Sequence, residues 1–208
     1  MSLVASELTC IKRDRVLFER LSMSLEPGQL VYLRGPNGAG KTSLLRILTG
    51  LAAPDAGTVY FQGAPVSNDI AAYHKALIYL GHKPALNSTL SAMENLRFWL
   101  AQQYLTFDPK AAYQALEKLG LVGLEDIPVR LLSAGQQRRA ALARLWLKPA
   151  SVWLLDEPFT ALDTQGIALL ETLFAHHVAD GGMLLTTSHQ PLSKRAGPVT
   201  NMDLEYRL

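Results

Sequence analysis

The sequence has 208 residues, 49% apolar and 18% charged, with a net charge of +2, which excludes a disordered chain and fits one well-buried domain. Basic and acidic residues are interspersed, so no nucleic-acid partner is expected, and a single cysteine, Cys10, excludes an internal disulfide framework or a multi-cysteine metal site. The N-terminal stretch has no basic region leading into an apolar one, so no signal peptide is expected, and no run of about 18 apolar residues is present to cross a bilayer.

Residues 2–9 and 16–25 read as strands with partial alternation, separated from a compact apolar strand, Gln29 to Arg34, by the Pro27-Gly28 turn. Leu44, Leu45, Ile47, Leu48 and Leu51 have helical spacing and predict a helix over 41–51. A turn at 54–57 leads into a strand at 58–61, and 77–80 is another strand. The pattern is helical over 90–104, 109–119 and 134–147. Ser151 to Leu155 is a buried strand and Met183 to Thr187 another, and Cys10 is expected as a small buried residue in an early strand. Strands therefore flank a helix-rich centre, and an α/β core with an inserted helical subdomain, roughly 83–149, is expected within a single domain spanning 1–208.

Gly35-Pro36-Asn37-Gly38-Ala39-Gly40-Lys41-Thr42, followed by Ser43, fits the phosphate-binding loop pattern, with a strand before it and a helix after it. Glycines let the backbone turn several N–H groups onto a phosphate, and the helix adds the positive end of its dipole. Lys41 has the reach for the β and γ phosphates, and the Thr42 hydroxyl is a hard ligand suited to Mg²⁺. The strand ending Asp156-Glu157 supplies two acids, which strand pleating sends in different directions. Asp156 suits Mg²⁺, directly or through water, and Glu157 suits a base that orients the attacking water. Ser133, Ala134, Gly135 and Gln136 open a helix: Ser133 is a good cap, and Gly135 permits close approach of a phosphate. His189 ends a strand where a sensor of the γ-phosphate is needed.

The order of these motifs, with Thr160-Ala161-Leu162-Asp163 between Glu157 and His189, covers nearly the whole chain and resembles the ATP-binding cassette (ABC) proteins. The resemblance implies a P-loop NTPase fold, an ABC nucleotide-binding domain with a RecA-like core. It implies ATP and Mg²⁺ as cofactors, Lys41, Glu157 and His189 as catalytic groups and Asp163 as the D-loop residue. It further implies a homodimer in the ATP-bound state, with Ser133 to Gln136 of one copy closing over nucleotide held by the other. The stretches at 81–84, 90–96, 131–147 and 153–163 are similar to the ATP-binding subunits of the haem exporters of cytochrome c maturation. That family implies integral membrane transporter subunits, a haem-handling membrane protein and a haem chaperone as partners, with ATP hydrolysis powering release of the loaded chaperone. It also implies a peripheral position on the cytoplasmic side of a bacterial inner membrane. An exporter of another substrate, or a soluble cassette outside transport, is the alternative.

His82, the position of Lys12 or Arg13, and Ala134, which stands where glycine is commoner and whose methyl is expected to face away from ATP, depart from the general cassette pattern. His82 stands at the Q-loop position, and imidazole is a poorer Mg²⁺ ligand than an amide oxygen, so a contact to the attacking water or a partner group is expected of it. Lys12 or Arg13 falls where many cassettes stack an aromatic on adenine; Arg13 can stack on a base or stand as a solvated charge. Trp99 with Phe98 reads either as part of a groove for a membrane partner or as packing within the helical subdomain.

Overall fold

A computed structural model describes residues 2–205. The chain divides into two compact units. The first comprises residues 1–79, 150–157 and 170–208, and the second residues 80–149 and 158–169.

The first unit opens with β1 (Leu3–Lys12) and β2 (Arg15–Leu25), an antiparallel hairpin. β1 also pairs antiparallel with β4 (Ala56–Phe61), whose other edge carries the two-residue β5 (Ala64–Pro65). Alternation is only partial because the β1 register shifts near Glu7, where the backbone turns left-handed. The second sheet has the order β6–β7–β8–β3–β9, from β6 (Leu77–Leu80), β7 (Val152–Leu155), β8 (Met183–Thr187), β3 (Gln29–Arg34) and β9 (Thr200–Asp203). β7, β8, β3 and β9 run parallel, and β7 and β8 are buried along their whole length, as their unbroken apolar character requires. Helix α1 (Lys41–Leu48) buries Leu44, Leu45, Ile47 and Leu48 in the core shared with Leu3, Leu8, Leu25 and Leu33. It stops three residues before its apolar spacing does, since Gly50 takes a left-handed φ of 72° and leaves Leu51 exposed. Cys10 is buried in β1, and burial raises its thiol pKa. Helix α2 (Ile70–Ala76), capped by Asp69, was not signalled by any apolar repeat.

The second unit holds α3 (Ala92–Gln102), α4 (Pro109–Lys118), α5 (Ala134–Leu142) and α6 (Arg144–Leu147). The single helix expected over 134–147 is thus two, broken at Ala143. α3 starts on a capping box of Ser91 and Glu94, and Asn95 locks the preceding loop: its side chain accepts from the Asn87 N–H (2.7 Å) and donates to the Ser91 carbonyl (2.8 Å). Trp99 is half-buried within this unit, with the Arg144 guanidinium 5.3 Å from its ring centre, whereas Phe98 is 58% exposed. Helix α7 (Thr164–Ala179), the longest, begins in this unit and ends in the first. Its even apolar character gives no strong stripe, so no local pattern marks it as a helix.

Candidate nucleotide site

In the first unit the loop 35–40 leaves β3 and enters α1 through Gly38 and Gly40, whose φ values of 82° and 103° are left-handed. At Gly35 a side chain has no room, because its Cβ would strike the Leu204 carbonyl. Lys41 folds back over the loop and donates to the Gly35 (2.6 Å) and Pro36 (3.2 Å) carbonyls, so the ammonium is held against the backbone of its own loop. Thr42 and Ser43 lie in the first turn of α1.

Behind the loop lies a polar cluster built from the C-terminal ends of parallel strands, where α/β sheets hold their ligands. The Thr42 hydroxyl donates to Asp156 (2.7 Å), and the other Asp156 oxygen accepts from the Thr187 hydroxyl (2.9 Å). The same Thr187 oxygen accepts the Glu157 backbone N–H (2.8 Å). Thr187 therefore joins both acids through one atom, and it is fully buried. Both acids lie just past the end of β7. Their side chains are separated not by strand pleating, as the sequence reading had it, but by a left-handed backbone at Glu157 (φ 53°). That turn aims Glu157 at His189, whose Nε2 lies 3.6 Å from the carboxylate. Glu157 is buried and His189 is 64% exposed, so a shielded carboxylate meets an imidazole open to solvent.

Sequence reasoning placed Lys41, Thr42, Asp156, Glu157 and His189 in one site, and the fold brings them together. It missed Thr187, although two threonines in an otherwise apolar, buried strand are a readable signal. It also missed Arg15, whose guanidinium reaches the Gly38 carbonyl (3.3 Å). Arg13, read as able to stack on a base or to stand as a solvated charge, is exposed in the β1–β2 turn with φ 51°.

In the second unit, Ser133 caps α5 by accepting the Gln136 N–H (3.2 Å), while the Gln136 side chain accepts the Ser133 N–H (2.8 Å). Ala134 is exposed at the helix start. A Cβ on Gly135 would lie 2.6 Å from the Ala161 carbonyl, so this glycine is required by the chain's own backbone. Asp163 caps α7 by accepting the Gly166 N–H (2.8 Å) and pairs with Arg139 of α5 (2.6 Å). The backbone donor and then the guanidinium hold its carboxyl below the usual range. His82 is exposed, and its loop is held through its backbone: buried Arg138 donates to the Gly81 carbonyl (2.7 Å), and Arg144 to Ala85 (2.8 Å). Burial lowers the Arg144 pKa to about 10.

No helix among the described residues is long and apolar enough to cross a membrane. Residues 18–160 match the family model described as ABC transporter. The chain is 54% identical over 190 residues to the cytochrome c biogenesis ATP-binding export protein CcmA of Yersinia pestis, covering 91% of this chain and 87% of that protein. It is 51% identical over 203 residues to the CcmA of Idiomarina loihiensis, covering 98% and 92%. A putative ABC transporter ATP-binding protein from Pyrococcus furiosus shares the fold, with a TM-score of 0.83 at 24% identity over 98% of both chains. A dimeric bacterial ABC transporter cassette superposes with a TM-score of 0.82 at 22% identity, covering 99% and 97%. With a phosphate-binding loop, two strand-end acids and these relatives, the chain belongs to the ABC transporter family of ATP-binding proteins, alongside the CcmA proteins.

Proposed function

We propose that this chain is the ATP-binding and ATP-hydrolysing subunit of an export complex of cytochrome c biogenesis. The observation that carries the hydrolytic half is the chain of contacts from Thr42 through Asp156 and Thr187 to Glu157, set behind a phosphate-binding loop. The export half rests on 48–54% identity to proteins named for that role. Lys41 exchanges its two loop carbonyls for phosphate oxygens when ATP binds, which costs little because both partners are polar. The Thr42 hydroxyl and the Asp156 carboxylate are hard oxygens already within hydrogen-bond reach, and they fit Mg²⁺. The cation neutralises charge on the phosphates when bound. Glu157 orients and polarises the attacking water, and His189 donates to the γ-phosphate from the solvent side.

Two copies close head to tail over nucleotide, each offering the α5 start at Ser133 to the phosphates of the other, so hydrolysis by isolated monomers is slow. Integral membrane subunits receive the stroke on the cytoplasmic face, and release of a haem-loaded chaperone is its outcome. The test is a Lys41→Ala allele at the native locus, followed by staining of membrane protein for covalently bound haem. Loss of covalent haem bands with other haem proteins intact supports the reading. Unchanged bands refute the cytochrome c assignment and leave an exporter of another substrate.

A further inference from the structure

His189 sits on a segment, 188–193, that belongs to no helix or strand, yet its imidazole must be placed within a few tenths of an ångström to act on a phosphate. Within this segment the Ser188 hydroxyl accepts the Gln190 N–H (3.0 Å), and two separate contacts restrain it from outside. Tyr32, on β3 and 8% exposed, donates its hydroxyl to the Ser188 carbonyl (2.9 Å) and lies 3.2 Å from the Gln190 carbonyl. These carbonyls belong to the residues on either side of His189, so one phenol proton shared between two acceptors brackets the histidine. On the far side, buried Glu171 of α7 accepts both the Ser193 N–H (2.7 Å) and the Ser193 hydroxyl (2.5 Å). The phenol faces Ser188 and Gln190 only through main-chain oxygens, and the nearby Glu157 charge, after burial, holds its proton on. A phenylalanine fills the same space and removes the bracket alone.

We propose that Tyr32 is a positioning residue for ATP hydrolysis: its hydroxyl fixes the carbonyls of Ser188 and Gln190, the neighbours of His189, and, with the Glu171–Ser193 pair, holds the imidazole beside Glu157. The inference rests on the reading of His189 as a phosphate-site group. A hydroxyl that merely stabilised the fold would lower activity whether or not His189 is present. A positioning hydroxyl loses its effect once the imidazole is gone, which a double-mutant cycle reads directly.

The experiment compares the full-length wild type, Tyr32→Phe, His189→Ala and the double variant in steady-state MgATP hydrolysis, at a protein concentration where specific activity has reached its plateau. Tyr32→Phe is expected to lower kcat by about tenfold, the factor worth one hydrogen bond, with KM for ATP changed less than twofold. In the His189→Ala background the same change adds less than a twofold loss. Ser193→Ala, which leaves Tyr32 untouched, lowers kcat by about threefold with the same dependence on His189, and carries the test if Tyr32→Phe folds poorly. Wild-type kcat in Tyr32→Phe, or an equal loss in both backgrounds, overturns the proposal while His189 keeps its role. Wild-type turnover in His189→Ala overturns the reading of His189 and the proposal with it.

Discussion

Replacing Thr187 with Val keeps the shape of a fully buried side chain and deletes one oxygen. That oxygen donates to Asp156 at 2.9 Å and accepts the Glu157 N–H at 2.8 Å. A hydrogen bond to a charged acceptor contributes about 1.5–3 kcal/mol and a neutral one about 1 kcal/mol, so Thr187→Val is expected to cost about 3 kcal/mol. At about 2–4 °C per kcal/mol for a chain of this size, the melting temperature falls by about 6–12 °C. Thr187→Ser keeps the oxygen and removes a buried methyl, costing about 1 kcal/mol and about 2–4 °C. Differential scanning fluorimetry of the nucleotide-free protein measures both. Steady-state ATPase should follow the same order, Val far below Ser, because Glu157 loses the anchor of its left-handed peptide. If Thr187 were only packing, the order would reverse, since Val retains the methyl that Ser lacks. A valine variant as stable as the serine variant, or more so, refutes the bridging role.

His177 stacks on Trp153 with ring centres 3.8 Å apart, and burial lowers its pKa below 6.5. As pH falls through 6.5 the unfolded chain takes up the proton first, so stability declines until the folded pKa is passed; His177→Phe keeps the stack and should flatten the melting temperature between pH 7.5 and 5.5. Gly135→Ala places a Cβ 2.6 Å from the Ala161 carbonyl, which costs about 1–3 kcal/mol against a helix-propensity gain of at most about 1 kcal/mol. A lowered melting temperature without nucleotide is therefore expected; an unchanged one combined with lost ATPase would place the glycine's constraint across the dimer instead.

Much of the site was legible because phosphate chemistry dictates local sequence. The loop 35–42 must have its glycines, lysine and hydroxyl in a fixed order, since all act from one turn of backbone. Strands β3, β6 and β8 were readable to the residue for a related reason: short apolar runs bounded by turns have few other ways to fold. The longest helix, α7, was not readable, since its face is defined by what packs on it rather than by a polar stripe. The break at Ala143 also left no mark, because alanine fits a helix or its end equally well. Gly135 was read as room for a phosphate, while the nearer demand is the Ala161 carbonyl, a contact 26 residues away in sequence that no local pattern encodes.

What the motifs did not disclose is how their side chains are held, and parallel pairing supplies the reason. Tyr32 pairs with Thr186 and Leu33 with Thr187, so β3 and β8 end side by side, while β7 ends opposite Thr186. The residue that ties Asp156 to Glu157 is therefore contributed by the next strand, 31 and 30 positions away in sequence. The phenol that brackets His189 arrives from a strand 156 positions upstream of the Ser188 carbonyl it bonds. Groups that meet a phosphate must sit at fixed local spacing and so form a motif. Groups that only hold those residues in place are free to come from any neighbouring strand that presents a donor at the right height. Their identities answer to the register of the sheet, and they become visible only once the strands are paired.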